Sequence, residues 1–206
     1  MIRPGTFERV YAAIKLQLRQ GFLGPGHRLE PAVLSDQLNA SVTPVRDALH
    51  RLAGERLVEA PRHEGFRVPH LTETTLRHLF AWHRDLLILA LLNRHNSEAT
   101  LDELDFDEHG AGHERRNRLF LSLARSTGNL EHCLALEALI DRLSPVQRFE
   151  DMLLDAAEAE TEQIMRALQS GDRRDLRRTL QRYHRRRQQI VPLLIDSIYE
   201  QKQAPR

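Results

Sequence analysis

Apolar residues in the first third of the chain recur at helical spacing, in short segments separated by glycine- and proline-containing turns. Val10, Ile14 and Leu18 repeat every four residues, which predicts a helix from a capping Thr6 to about Gln20. Two further short helices follow between residues 29 and 56. Because only a few residues separate these two, they must cross steeply over one small core, which is the helix-turn-helix arrangement.

The second helix of that pair has the features of a DNA recognition helix. Ser41 and Thr43 are predicted to cap it, and Pro44 suits its first turn, where a missing N–H costs nothing. Arg46 then lies near the N-terminal end, which a recognition helix inserts into the major groove. Arg51, towards the other end, is a candidate for contact with a phosphate.

A β-hairpin is predicted after the recognition helix. Residues 57–60 and 66–68 have strand composition, and the turn between them contains Arg62, His63 and Gly65. Three helices followed by such a hairpin form a winged helix, whose basic tip commonly enters the minor groove. Glu64 in the same turn would repel phosphate, so the tip contact is a weaker expectation than that of the recognition helix.

From residue 72 onward every strand signal disappears, and the pattern is helical. The predicted domains are a winged helix-turn-helix over residues 1–70 and an all-helical bundle over residues 71–206, which makes the fold mainly α. Residues 96–113 are acidic and contain glycines between His109 and His113, so we expect a solvated loop there rather than a metal site. The predicted helices cover residues 72–93, 114–126, 130–143, 146–170 and 172–199, with Thr72 and Asp172 as caps, breaks at Pro145 and Gly171, and a bend at Pro192.

Composition narrows the function classes only a little. The net charge is +1, but residues 1–71 contain ten basic and seven acidic residues, whereas the remainder contains 20 and 22. A mildly basic head is weak support for DNA contact. The sequence has no membrane-length apolar run, no signal-peptide pattern and a single Cys133, so a cytoplasmic protein is expected. It also lacks a phosphate-binding glycine loop, a nucleophile elbow and a zinc-protease motif, so no enzyme and no catalytic residue are predicted.

The N-terminal pattern resembles the GntR family of bacterial winged-helix repressors over about residues 6–70. The resemblance lies in Gly24-x-Gly26-x-x-Leu29, in the run from Ser41 through Thr43-Pro44-Val45-Arg46-Asp47-Ala48 to Leu49, and in Leu52, Leu57-Val58 and Gly65-x-x-Val68. Members usually have Arg where this chain has Val42, and often where it has Ala32. The resemblance therefore implies the same docking in the groove with a different operator sequence.

The remainder resembles the FadR-type, or FCD, effector domain, through residues 117–129 and 161–183. Most members hold a divalent metal with one Asp and three His, which would correspond here to Asn117, Leu121, Thr161 and Tyr183. None of these is a competent ligand, so we expect no metal and no cofactor. The family's inward Arg and Glu correspond to His83 and Leu87. These six residues form the candidate effector pocket, which is expected to be apolar and suited to a neutral ligand, or else filled.

An arginine-rich run occupies residues 173–187. It could form a second nucleic-acid surface, or a charged face that pairs with Glu158, Glu160 and Glu162 on the neighbouring helix. The second reading is favoured, because Leu176, Leu180 and Tyr183 leave the helix one apolar stripe for packing.

The resulting hypothesis is a transcriptional regulator that binds a palindromic operator as a homodimer, with repression as the expected action and a small-molecule effector in the helical domain. Leu86, Leu89 and Leu92 widen the apolar face of their helix, which suggests the dimer surface. The alternative is a protein-interaction or scaffold module that keeps the winged helix without specific DNA readout, as the missing donors at Ala32 and Val42 suggest.

Overall fold

The structure is a computed structural model that describes residues 5–94 and 112–203, with side chains up to residue 200. The described residues form two compact units, a head unit of residues 5–71, to which residues 201–203 are also assigned, and a helical unit from Thr72 to Glu200. The acidic segment between residues 95 and 111, including His109 of the predicted loop, lies outside the described residues.

The head unit has three helices around one small apolar core. Val10, Ile14 and Leu18 are buried as predicted, and α1 packs mainly on α3. The core is completed by Leu34 of α2, by the inner side of α3 and by residues 57–68. The elements are α1 (Thr6–Arg19), β1 (Arg28–Leu29), α2 (Pro31–Gln37), α3 (Val42–Gly54) and β2 (Phe66–Arg67).

The wing differs from the predicted hairpin in its strands. The first predicted strand, residues 57–60, contributes one bridge, in which Glu59 and Arg67 exchange backbone hydrogen bonds of 2.8 and 3.0 Å. The strand partner of β2 is instead β1, with Leu29 opposite Phe66 in an antiparallel register. Sequence reasoning missed β1 because two residues carry too little alternation to be recognised, and pairing across 37 residues leaves no local signal.

Two predicted helix caps in the head unit are wrong. Gly5 occupies the N-cap of α1, and Thr6 is its first helical residue. Ser41 is at the N-cap of α3 in an extended conformation, but its side chain makes no capping hydrogen bond, and Thr43 lies inside the helix. The hydroxyls of Ser41 and Thr43 therefore do not form a capping hydrogen bond.

The described residues of the helical unit form five helices. Thr72 caps the first as predicted, since its hydroxyl accepts a hydrogen bond from the Thr75 amide at 3.1 Å. The Asp172 carboxylate likewise accepts from the amides of Arg174 and Asp175 at the start of the last. In the part of the chain that the structure describes, no helix has the length and apolarity needed to cross a membrane. The helices are α4 (Glu73–Asn93), α5 (Gly112–Arg125), α6 (Leu130–Leu153), α7 (Ala157–Gln169) and α8 (Arg173–Gln203).

The predicted break at Pro145 is wrong, because α6 runs through this residue to Leu153. Proline removes one intrahelical hydrogen bond, yet the residues on both sides of it are buried, Leu143 at 1% exposure and Val146 at 1%. Tertiary packing therefore holds the helix together across the proline. Helix α6 instead ends at Leu154, which has extended backbone angles and separates α6 from α7.

Candidate nucleic-acid interface and the core of the helical unit

Helix α3 has one buried and one exposed face, as a recognition helix requires. Val45, Ala48, Leu49 and Leu52 are fully buried against the head core. The opposite face contains Thr43, Arg46, Asp47 and His50, all exposed at spacings of three and four residues. This face is polar and continuous, and only its last member packs on the rest of the head unit, since the His50 ring lies edge-on to Phe66 at 4.9 Å.

Arg46 is the candidate cation of this face. Its side chain is exposed and makes no hydrogen bond or ion pair with another residue in the described part of the chain. It lies one helical turn from the N-terminus of α3, close to the exposed Ser41 and the half-buried Pro44. A guanidinium there is available to an outside acceptor such as a base edge or a phosphate.

Arg51 has contacts within the head unit that the sequence did not indicate. Its guanidinium lies 4.1 Å from the centre of the Tyr11 ring and 3.5 Å from the Glu55 carboxylate. Desolvation raises the pKa of Glu55, but hydrogen bonds from Tyr11 and Lys15 outweigh it, so the net shift is downward. Arg51 thus helps to join α3 to α1, and its predicted contact with phosphate remains a prediction.

The tip of the wing is a tight turn. The Glu64 amide donates to the Pro61 carbonyl at 3.2 Å, and Gly65 has φ 78°, which glycine adopts without strain. His63 also has a left-handed backbone, with φ 63°. Both residues are exposed, so the tip projects from the head core.

Arg67, which sequence reasoning missed, sets the charge of this tip. Its guanidinium lies 2.9 Å from the carboxylates of both Glu59 and Glu64. The predicted repulsion of phosphate by Glu64 is therefore reduced by an adjacent cation. Arg62 is exposed and, among the described residues, has no hydrogen-bond or ion-pair partner, so it is the cation that the tip presents.

The candidate effector residues of the helical unit lie in its interior. His83, Leu87, Thr161 and Tyr183 are at most 2% exposed. Asn117 is also buried and forms a reciprocal amide pair with Gln147, at 2.7 and 2.9 Å. Leu121 is only half-buried.

The predicted apolar character of this interior is wrong, because two buried arginines lie among the candidate residues. Arg187 is fully buried, donates to Glu150 at 2.9 Å and to Glu160, and stacks on the Tyr183 ring at 3.6 Å. Arg116 is also fully buried and lies 3.3 Å from the Thr161 hydroxyl. We call Arg116, Arg187, Glu150 and Glu160 the buried ion network.

The two arginines of the network face its two carboxylates, and Asp151 adds a further carboxylate contact to Arg116. Arg116 lies 3.0 Å from the Asp151 carboxylate and 3.7 Å from Glu150. Desolvation acts to lower the pKa of Arg187, but Tyr183, Glu150 and Glu160 shift it above its ordinary value. Burial raises the pKa of the Tyr183 hydroxyl, which is therefore a neutral phenol.

His83 and His184 form a buried pair beside this network. The His184 Nδ1–H donates to the Leu180 carbonyl at 2.7 Å, so its Nε2 carries the lone pair when the ring is neutral. That Nε2 lies 2.8 Å from His83 Nδ1, which must therefore be the donor. Burial lowers the pKa of His184 to about 3 and that of His83 well below its ordinary value. Both rings are neutral at physiological pH.

The residues at the family's metal positions do not fit a divalent cation. Thr161 donates its hydroxyl proton to the Ala157 carbonyl at 2.9 Å and lies beside the Arg116 guanidinium, while the Asn117 amide is paired with Gln147. A second cation here would face two arginines instead of imidazoles or free carboxylates. The described residues contain no group of three or more His, Cys, Asp or Glu that could hold a metal.

The arginine-rich run forms only part of the predicted charged face. Arg186 and Arg187 pair with Glu160, as the favoured interpretation requires. Glu158 is bound by Arg115 and Glu162 by Arg166, neither of which belongs to the run. The run therefore pairs with one of its three predicted partners.

Comparison with known proteins identifies the head unit. Residues 6–68 match the family described as "Bacterial regulatory proteins, gntR family". The HTH-type transcriptional repressor GlaR of Escherichia coli K12 is 29% identical over 131 residues, 64% of this chain and 53% of GlaR. The HTH-type transcriptional regulator McbR of the same organism is 30% identical over 111 residues, 49% of this chain and 50% of McbR. The chain thus spans about half the length of these relatives.

Two solved structures share the fold of the chain. A putative transcriptional regulator GntR from Rhodococcus sp. RHA1 superposes with a TM-score of 0.74 at 18% identity, covering 90% of this chain and 96% of that one. E. coli McbR/YncC gives 0.67 at 24% identity, covering 98% and 100%. The predicted class, a winged helix-turn-helix followed by an all-α domain, is confirmed. Residues 6–68 of the head unit therefore match the gntR family of bacterial regulatory proteins, and the fold of the chain is similar to that of the two solved structures.

Proposed function

We propose that this protein is a sequence-specific DNA-binding transcriptional regulator. The observation that carries the proposal is the exposed face of α3, on which Arg46 has no partner among the described residues, in a head unit matched by the gntR family. Arg46, together with Ser41 and Thr43, would read or position the major groove, and Arg62 with His63 at the wing tip would enter the minor groove.

The test is DNA binding by the full chain, first to fragments from its own upstream region and then to sequences selected from a random pool. We expect salt-sensitive binding to a palindrome and a weakening of about 5- to 150-fold for Arg46→Ala if the contact is to a base edge. Arg46→Lys is the matched control, since it keeps the charge but loses the two-pronged hydrogen bonding. Restoration of affinity by lysine would assign Arg46 to a phosphate.

Failure to select any sequence, with a folded protein and weak binding to all DNA, would refute specific readout. That result would favour the protein-interaction or scaffold role. We consider this role because the exposed Ala32 and the half-buried Val42 stand where family members have arginines. A stable protein partner in pull-down experiments would then be expected.

We further propose that the regulator acts as a homodimer through the helical unit. One head buries too little surface for tight specific binding, so two heads on a palindrome are required. Trp82, Leu89 and Leu92 are 46–63% exposed on α4 and form an apolar strip. Leu86, which was expected to share this strip, is buried at 4% exposure and belongs to the core. A monomer of 23.9 kDa in light scattering at micromolar concentration would contradict the dimer.

For the effector, we propose a small polar molecule instead of an apolar one. Four buried polar atoms around Tyr183 have no hydrogen-bond partner among the described residues: His83 Nε2, Arg116 Nε, Glu150 Oε1 and Arg187 Nη2. They offer two donors and two acceptors to a molecule that presents the complementary groups. A thermal-shift screen should therefore detect polar, hydrogen-bonding ligands. Stabilisation by apolar ligands alone would contradict this assignment, and stoichiometric metal in elemental analysis would contradict the expected absence of a metal.

A further inference from the structure

A concave site lies on the surface of the helical unit, between α4 and α8. It is a groove of about 610 Å³, within the range of roughly 300–1,000 Å³ that is usual for small-molecule sites. It lies on the outer side of the His83–His184 pair, because His184 lines it and His83 does not. The lining side chains of α4 are Phe80, Ala81, Arg84, Asp85 and Ile88, and those of α8 are Arg177, Gln181, His184, Arg185 and Gln188.

The groove collects three guanidinium groups, and two of them have no partner among the described residues. Arg177 and Arg185 are exposed and form no hydrogen bond or ion pair within residues 5–94 and 112–200. Arg84, on the opposite wall, is paired with its own neighbour Asp85 at 2.8 Å, its one ion-pair partner in the described part of the chain. By contrast, Arg186 and Arg187 of the same helix pair with carboxylates on the inner side. The groove thus has an excess of cationic hydrogen-bond donors.

The floor of the groove consists of apolar side chains and of a histidine whose hydrogen-bonding atoms already have partners. Phe80 is buried at 1% exposure, and Ile88 is half-buried beside it. His184 contributes a neutral ring whose two nitrogens are both engaged, by Leu180 and His83. A ligand would therefore meet hydrocarbon and aromatic surface below and guanidinium groups at the rim.

We propose that this groove binds a small organic anion, in which a carboxylate or phosphate group is attached to an apolar or aromatic body. Guanidinium groups hold both kinds of oxyanion with paired hydrogen bonds, and the apolar floor provides burial for the body. The Asp85 carboxylate at the wall and the limited volume disfavour the continuous phosphate backbone of a nucleic acid. The proposal does not depend on DNA binding by the head unit.

The test is calorimetric titration of the full chain with phenyl phosphate and benzoate, with inorganic phosphate and benzyl alcohol as probes that each lack one half of the ligand. We expect one saturable site for an aromatic anion, weaker binding of inorganic phosphate and none of benzyl alcohol. The variant Arg177→Gln/Arg185→Gln should weaken binding by about tenfold or more, as expected for lost hydrogen bonds to a charged group.

The matched control is Arg174→Gln/Arg182→Gln, which removes the same charge from exposed positions of α8 outside the groove. It should change the affinity by less than about twofold, because screened charges at a distance contribute little. Equal weakening in both variants would show diffuse charge attraction and overturn the site. The absence of saturable binding by either aromatic anion, with circular dichroism showing a folded protein, would overturn it as well. Duplex DNA binding that is lost only in the groove variant would assign the arginines to nucleic acid instead.

Discussion

Removal of Arg187 should destabilise the helical unit more than any exposed substitution. The side chain is fully buried, and its loss leaves Glu150 with only Arg116 at 3.7 Å, and Glu160 with the half-buried Arg186. Breaking a buried pair from one side typically costs about 3–5 kcal/mol, a large part of the roughly 5–15 kcal/mol that stabilises a domain. Arg187→Met keeps most of the side-chain volume, so the cost reflects the lost charge and hydrogen bonds more than a cavity.

A double-mutant cycle separates the ion pair from packing. Glu150→Gln should cost about 2–4 kcal/mol alone, because Arg187 then lacks its 2.9 Å carboxylate. The double variant Arg187→Met/Glu150→Gln should cost less than the sum of the single changes, with a coupling of about 1–3 kcal/mol. Urea unfolding followed by the fluorescence of Trp82, the only tryptophan, reports on the helical unit.

The matched control is Arg182→Met, an exposed position of the same helix whose guanidinium reaches only the Gln163 amide at 3.5 Å. It should shift stability by no more than about 0.5 kcal/mol. If Arg187→Met were no more destabilising than this control, or if the single effects were simply additive, the buried ion network would not be a coupled unit and the reasoning would be refuted.

Three other changes test the pH dependence and the local conformation. The pKa of His184 is about 3 in the folded state and near 6.5 unfolded, so the unfolded chain binds more protons between these values. His184 should therefore contribute a loss of stability of roughly 1 kcal/mol per unit as pH drops below 6.5. His184→Asn should flatten this slope in urea titrations at pH 7.5 and 5.5, and an unchanged slope would contradict the assignment. Thr72→Ala should cost about 1 kcal/mol through the lost cap, whereas the neighbouring Thr74→Ala should cost much less when both are followed by thermal unfolding. Gly26→Ala should destabilise the head unit by about 1–2 kcal/mol in circular dichroism melts. The reason is that φ is 73° at this position and the new methyl group would lie 2.5 Å from the His70 ring. An unchanged melting temperature would show that alanine is not strained there.

The head unit was largely predictable because its signals are local. Four-residue spacing of Val10, Ile14 and Leu18 identifies the inner side of α1, and the exposed Arg46 follows from the phase of α3. The positions of the caps were less predictable, since several small polar residues near a helix start are equally suitable by sequence. The pairing of β1 with β2 depends on a contact between distant segments, which leaves no pattern within either.

In the helical unit, sequence reasoning predicted five helices but misplaced the boundary between α6 and α7 and misjudged what fills the interior. Arg187 occurs within an arginine-dense run, where a single inward residue has the same local composition as its exposed neighbours. Its helical phase relative to Leu176, Leu180 and Tyr183 was the available signal, because a spacing of four residues places Arg187 on the stripe of Tyr183. Arginine is almost never fully buried unless it is paired, so the phase alone does not predict a buried side chain until its carboxylate partners are known.

Ion pairs with glutamates allow the two arginines to be buried in an otherwise apolar core. Glu150 and Glu160 come from α6 and α7, so Arg187 of α8 joins three helices through two carboxylates. A metal at this place would also join helices, but it would leave coordination positions that favour an anionic ligand. Guanidinium groups that already hold carboxylates attract a further anion only weakly, and the two buried arginines each have just one nitrogen without a partner among the described residues. Because the buried arginines join the helices as a metal would, we expect the inner ligand to be a neutral, hydrogen-bonding molecule and not an anion. The outer groove between α4 and α8 is where we expect an anion to bind, since its arginines Arg177 and Arg185 have no partner among the described residues.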